Sequence, residues 1–100
     1  MEIRYTMRLE NISGLSNLEV IGGSLNIFFN RGLKHIEGFT KLQVVGRALR
    51  VNHNDLLESI TGFPKLVRIG QDFTLRGNGQ LLAAPSMPSL RAIGGDVEAI

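Results

Sequence analysis

Residues 18–41 read LEVIGGSLNIFFNRGLKHIEGFTK, residues 42–65 read LQVVGRALRVNHNDLLESITGFPK, and residues 66–81 continue LVRIGQDFTLRGNGQL. Set one beneath another, the lines repeat with a fixed period of 24 residues. Taken as full copies at 16–39, 40–63 and 64–87, the first two share nine identities in 24 and the second and third share five. Residues 1–15 match the second part of a copy and 88–100 match the first part, with no insertion or deletion to break the period. A period of this length is the mark of a repeat architecture, so residues 1–100 read as one solenoid domain, whole in itself or part of a longer protein.

The apolar columns are Leu18, Leu42, Leu66, Leu90; Ile21, Val45, Ile69, Ile93; Leu25, Leu49, Phe73, Val97; and Ile3, Ile27, Val51, Leu75. The second half of the copy adds Leu9, Leu33, Leu57, Leu81; Ile12, Ile36, Ile60; and Leu15, Phe39, Phe63, Met87. One copy has only a thin apolar face, which the next copy must cover, so the unit is a coil in a stack. Leu25-Asn26-Ile27 and Leu49-Arg50-Val51 alternate apolar with polar, the period of a strand buried on one face. The later part runs in steps of three: Leu33, Ile36, Phe39, Leu42, Val45. A helix does not fit it, because a spacing of three drifts around a turn of 3.6 residues and Gly38, Gly62 and Pro64 fall inside the would-be helices. Short extended or turn-like segments are expected instead.

Two polar columns have structural readings. Gly22, Gly46, Gly70 and Gly94 supply either a corner with positive φ or a close backbone approach between coils. Asn30, Asn54 and Asn78 follow the strand, where stacked amides can bond the backbone of their own turn and the next.

These columns resemble the receptor L-domain branch of leucine-rich-repeat proteins, in the recurring form L-x-x-I-G-x-x-L-x-I-x-x-N-x-x-L-x-x-I-x-G-F. Such repeats build the ligand-binding L domains of insulin- and epidermal-growth-factor-type receptors, and similar ones occur in fungal cell-wall glycoproteins and microbial surface proteins. The resemblance covers nearly the whole chain. It implies an all-β, right-handed parallel β-solenoid of about four coils, spaced about 4.8 Å apart. It also implies an extracellular or cell-surface setting and a partner-binding role. Receptor L domains usually carry cysteines and a capping helix, whereas this sequence has no cysteine and shows no capping helix.

The residues themselves leave the compartment open. Met1–Arg8 lacks the charged start and apolar run of a signal peptide, no apolar run is long enough to insert in a membrane, and a chain without cysteine suits reducing and oxidising settings alike. Asn11-Ile12-Ser13 is an N-glycosylation sequon, so Asn11 is the position to test should the chain be secreted. Met1-Glu2-Ile3 and Val97-Glu98-Ala99 fall on the same strand columns. Uncapped coils would expose strand edges, so the chain reads either as a stretch of a longer solenoid or as one that forms homo-oligomers through its ends.

Candidate chemistry is sparse. His35 and His53, the only histidines, occupy different columns, and Asn52-His53-Asn54-Asp55 offers a metal two ligands without a third. The carboxylates, Asp55, Asp72, Asp96 and the glutamates, read as scattered across columns, so no acid cluster is expected on one face and no enzyme activity is expected. The glycine-rich stretches lack the Gly-Lys-Ser/Thr of a phosphate loop, which leaves no cofactor to expect. Net charge is +2 and no repeat carries more than that, so a nucleic-acid partner is not expected either. With 43% hydrophobic residues, 20% charged residues and a mean hydropathy of +0.08, the chain has the composition of a folded domain.

One surface stands out. Outward positions of the strand align as Glu2, Asn26, Arg50, Thr74; then Arg4, Phe28, Asn52, Arg76; then Tyr5, Phe29, His53, Gly77. Rings flanked by arginine are enriched in interface hot spots and suit stacking on sugar rings. Tyr5, Phe28, Phe29, Arg50, His53 and Arg76 are therefore the candidate contact residues for a protein or glycan partner. The competing reading is packing or self-association, with one of Phe28 and Phe29 turned inward at the strand end.

Overall fold

The structure is a computed structural model that describes residues 2–4, 11–12, 17–61, 63–81 and 87–99. The described residues form twelve short strands and no helix. In chain order they are β1 (Glu2–Arg4), β2 (Asn11–Ile12), β3 (Val20–Ile21), β4 (Leu25–Phe28), β5 (His35–Ile36) and β6 (Val44–Val45), then β7 (Leu49–Asn52), β8 (Ser59–Ile60), β9 (Arg68–Ile69), β10 (Phe73–Leu75), β11 (Ala92–Ile93) and β12 (Val97–Ala99).

The strands stack into three parallel sheets. The widest, with five strands, runs β1-β4-β7-β10-β12; a second runs β3-β6-β9-β11; a third runs β2-β5-β8. Every pairing joins residues 24 apart, as in Leu25↔Leu49, Val45↔Ile69 and Ile36↔Ile60. The chain is therefore a parallel β-solenoid of about three turns, with a three-sided coil.

The steps of three have a direct cause. Leu33 donates its N–H to Asn30 O at 3.2 Å, Leu57 to Asn54 O at 3.0 Å and Leu81 to Asn78 O at 3.0 Å. A second set of turns links Leu42 to Phe39 O and Leu66 to Phe63 O, both at 3.4 Å. A turn closed between i and i+3 sends both end residues inward and its two middle residues outward, so the corners write an apolar step of three. Between the corners, β4 and β7 alternate buried with half-buried, starting from fully buried Leu25 and Leu49. Leu33, Ile36, Phe39, Leu42, Val45 and their counterparts one coil on close the core. Inside it Phe39 and Phe63 stack with centroids 5.1 Å apart and planes 10° apart.

The two readings of the glycine column separate. Gly22, Gly46, Gly70 and Gly94 do not have positive φ; among the described glycines only Gly77 does, at 68°. What the column provides is close approach, because a Cβ on Gly46, Gly70 or Gly94 would collide with the carbonyl oxygen of the glycine one coil before it. Gly22, first of the column, has nothing within 4 Å of such an atom.

The asparagine column is fully buried at Asn30 and Asn54 and 8% exposed at Asn78. Asn54 Oδ1 accepts from both the backbone N–H and the Nδ2 of Asn30 at 3.1 Å, and Asn78 Oδ1 accepts the backbone N–H of Asn54 at 3.1 Å. Asn54 Nδ2 donates back to Ile27 O at 3.1 Å and Asn78 Nδ2 to Val51 O at 2.7 Å. At Asn54 and Asn78 the side-chain amide thus bonds the backbone of the coil before it through both its oxygen and its nitrogen, and not the backbone of its own turn.

Two stability outcomes follow from this packing. Gly70→Ala should lose about 1–3 kcal/mol to overpacking, while Gly22→Ala should change stability by less than about 0.5 kcal/mol. Urea unfolding of the two variants checks this; equal losses would refute close approach as the reason for the column. Asn54→Ala strips the buried Asn30 backbone N–H of its acceptor, at about 1–3 kcal/mol for a buried donor left unsatisfied, and also removes the side-chain bonds to Ile27 O and Asn78 Oδ1. The same titration should therefore show a larger loss for Asn54→Ala than for Gly70→Ala.

Candidate functional site

The outer face of the five-stranded sheet carries the residues that the sequence singles out. Its central row is Asn26, Arg50, Thr74, Glu98, set by the pairings of β4 with β7, β7 with β10 and β10 with β12. Beside it Phe28 pairs with Asn52, and Arg76 follows directly after β10. Tyr5 lies outside the described residues. Asn11 lies in β2, opposite His35, and Ser13 of its sequon is outside the described residues.

At the end of the strands the chain turns through the left-handed region. Phe29 has φ 58°, His53 φ 56° and Gly77 φ 68°, one residue in each coil. The positive-φ corner expected at Gly22, Gly46, Gly70 and Gly94 therefore lies in this column instead. An L-residue in this region costs about 1–2 kcal/mol, and a bulky ring there is a genuine outlier. Ring contacts offset part of that cost. Phe29 stacks on His53 with centroids 5.0 Å apart and planes 14° apart, and meets Phe28 edge-on at 5.7 Å and 76°. Such pairs contribute about 0.5–1.5 kcal/mol each. Gly77 completes the column for two reasons: its φ suits glycine, and a Cβ there would collide with Nδ1 of His53. Phe28 is half-buried and Phe29 is 44% exposed, so neither points into the core. One face of the His53 ring is covered by Phe29.

The two arginines lie on the other side of this cluster, in an open-sided depression of about 270 Å³ lined by Arg50, Asn52, Asp72, Thr74, Arg76, Asp96 and Glu98. Its walls are cross-linked from coil to coil. Arg50 Nη1 donates to Asn26 Oδ1 at 3.1 Å, Thr74 Oγ1 and the Arg76 backbone N–H donate to Asn52 Oδ1 at 3.2 and 2.9 Å, and Arg76 pairs with Glu98. Asp72 Oδ1 accepts the backbone N–H of Asp96 at 2.9 Å.

Five of these seven residues, Asn52, Asp72, Thr74, Asp96 and Glu98, were not singled out as contact residues from the sequence. The expectation of scattered carboxylates fails at Asp72 and Asp96, which stand 24 apart in one column and carry Glu98 beside them. Reading the acids by column rather than by type would have found them.

The structure also brings together a group that the sequence reading missed. On the three-stranded sheet His35 Nδ1 lies 2.7 Å from Ser59 Oγ, and His35 Nε2 lies 3.9 Å from Glu58 Oε2. A hydroxyl on an imidazole backed by a carboxylate is the arrangement of nucleophilic catalysis. Here the acid stands beyond hydrogen-bond distance, and the backbone N–H groups of Glu58 and Ser59 both donate to Lys34 O, at 2.8 and 3.3 Å. Neither donor is left to hold an oxyanion, so the cluster reads as a cross-strand pair. Among the described residues no three His, Asp or Glu side chains converge to hold a metal, and no helix is long and apolar enough to cross a membrane.

The strained corner makes a prediction that inverts the usual order of helpful substitutions. Phe29→Gly loses the ring but relieves the backbone, whereas Phe29→Ala loses the ring and keeps the strain. Phe29→Gly should be the more stable of the two by about 1 kcal/mol, measured by thermal unfolding; the opposite order would show that φ at this position is relaxed. Compared with family models, with curated proteins and with solved structures, the chain finds no match.

Proposed function

We propose that this chain is a non-catalytic interaction module that presents the outer face of its five-stranded sheet to a protein or glycan partner, within a larger receptor-like or surface protein. The observation that carries this reading is the side-chain lattice of that face. Arg50, Asn52, Thr74, Arg76 and Glu98 are held by hydrogen bonds and an ion pair that run between coils, so their polar groups are already placed before any partner arrives. A partner meeting such a face freezes few rotamers, which at about 0.5–1.5 kcal/mol per immobilised side chain is a substantial part of a binding free energy. The Phe28, Phe29 and His53 cluster adjoins the lattice and supplies the apolar contact that interfaces concentrate at their hot spots.

The 24-residue pattern supports placing the coil with the receptor L-domain type of leucine-rich repeat, right-handed and about four coils long when the partial copies at 1–15 and 88–100 are included. In that type, partner binding is the common role, with partners that differ from member to member.

The test screens the purified chain against a glycan array and a displayed random-peptide library. It then measures the strongest ligand obtained against Arg50→Glu and Phe28→Ser. Each substitution should weaken saturable binding about tenfold or more, which is about 1.4 kcal/mol. Circular dichroism should show the β-structure unchanged. Undiminished binding by both folded variants would remove this face as the contact surface.

A further inference from the structure

The depression exists because a short side chain stands among long ones. Thr74 is flanked along its row by Arg50 and Glu98 on the neighbouring strands, and along its own chain by Asp72 and Arg76 two residues away on either side. Thr74 is half-buried at the centre, and the four longer side chains rise around it.

Charge and hydrogen-bonding capacity restrict what fits. The lining holds two guanidinium groups and three carboxylates, with Arg76 already paired to Glu98 and Asp72 already accepting the Asp96 N–H. A free anion would meet Asp72 and Glu98 beside the floor, and a free cation would meet Arg50 and Arg76. A guanidinium carries five donors and a carboxylate about four acceptor sites, so after these internal bonds both kinds of group retain capacity. The ligand that uses donors and acceptors at such close spacing without carrying a charge of its own is a polyhydroxyl compound, because each hydroxyl both accepts and donates. Taking a neutral ligand also avoids desolvating an ion. From Thr74 in β10 the face runs diagonally across β7 to Phe28 in β4, two strand spacings across and two residues along, about 12 Å in all, a length that a disaccharide spans. The aromatic cluster there is apolar surface for the C–H face of a second ring.

We infer that this depression is a saccharide subsite, with one neutral sugar ring seated over Thr74 among Arg50, Asp72, Arg76 and Glu98 and its chain directed toward Phe28. The inference rests on the reading of this face as the binding surface and assigns its ligand class.

The experiment titrates the isotope-labelled full chain with cellobiose, with maltose and, for contrast, with the zwitterionic dipeptide glycylglycine, following backbone amide resonances. At least one disaccharide should shift the amides of Arg50, Asn52, Thr74 and Arg76 saturably in the millimolar range. Thr74→Gln, which fills the floor with a polar side chain, should weaken that binding about tenfold or more. Asp96→Asn, at an exposed position, should weaken it by a smaller factor. Saturable shifts by glycylglycine alone would overturn the saccharide assignment and leave the binding face standing. Shifts by none of the three, or disaccharide shifts that Thr74→Gln leaves unchanged, would overturn it too. The response of array and peptide-library ligands to Arg50→Glu then decides the face separately.

Discussion

Everything in this solenoid depends on the asparagine ladder at the corner after the widest sheet. A strand that turns inward at a left-handed residue carries the next backbone N–H into the core, away from both water and the sheet. Asn54 Oδ1 meets the N–H of Asn30 there, and Asn78 Oδ1 meets that of Asn54. The bond works only when the acceptor stands one coil away at the same phase, so the ladder enforces a spacing of 24 residues. A single inserted residue would move the amide off its donor and turn the following strand's apolar side outward. Glycine at 46, 70 and 94 imposes the same spacing at another corner through a different force: carbonyl oxygens sit where any Cβ would collide.

The ladder also explains why the corner tolerates rings in a strained conformation. Asn30 and Asn54 are buried and bonded to the next coil through both backbone and side chain, which leaves the residue before each of them little choice of φ. Phe29 and His53 accept the left-handed region because the asparagines after them are worth more in place than the strain costs. Once the rings are held there, one spacing apart, they stack on each other. The aromatic cluster on the outer face is in this sense a product of the polar ladder inside it.

Much of the fold was legible from the sequence, because coil stacking writes its constraint at a constant period. The strands around Leu25-Asn26-Ile27 and Leu49-Arg50-Val51 alternate openly, and the pairings Leu25↔Leu49 and Ile27↔Val51 are one period apart. The two-residue strands His35-Ile36 and Ser59-Ile60 were harder to see, since turns on either side replace alternation with steps of three. The left-handed corner stayed hidden because Phe29 and His53 carry no sign of it; only Gly77, in the same column, does. The polar depression was missed for another reason. As residue types Asp72, Asp96 and Glu98 are only acids, whereas what joins them is position: one column, and the row beside it. The Ser59–His35 contact likewise needs the knowledge that these two residues face each other across β5 and β8.

Inward and outward columns behave differently along the chain, and the difference bears on where function can reside. The buried columns repeat within narrow limits: Leu33, Leu57 and Leu81, or Asn30, Asn54 and Asn78. Close packing at a fixed spacing favours this, because a change of volume in one coil must be taken up by its neighbours, as where Phe73 stacks on Leu49. From β4 to β12 the outward row is Asn26, Arg50, Thr74 and Glu98, four residue types on four strands, and the corner column is Phe29, His53 and Gly77. Nothing in the stacking asks for that variety; a ladder of one residue type would pair as well across the strands. The depression owes its existence to this aperiodicity, since a row of four threonines or four arginines would have no floor and no walls. A scaffold that is periodic inside and aperiodic outside differs most from coil to coil on its outer face, and that is the face on which the proposed binding surface lies.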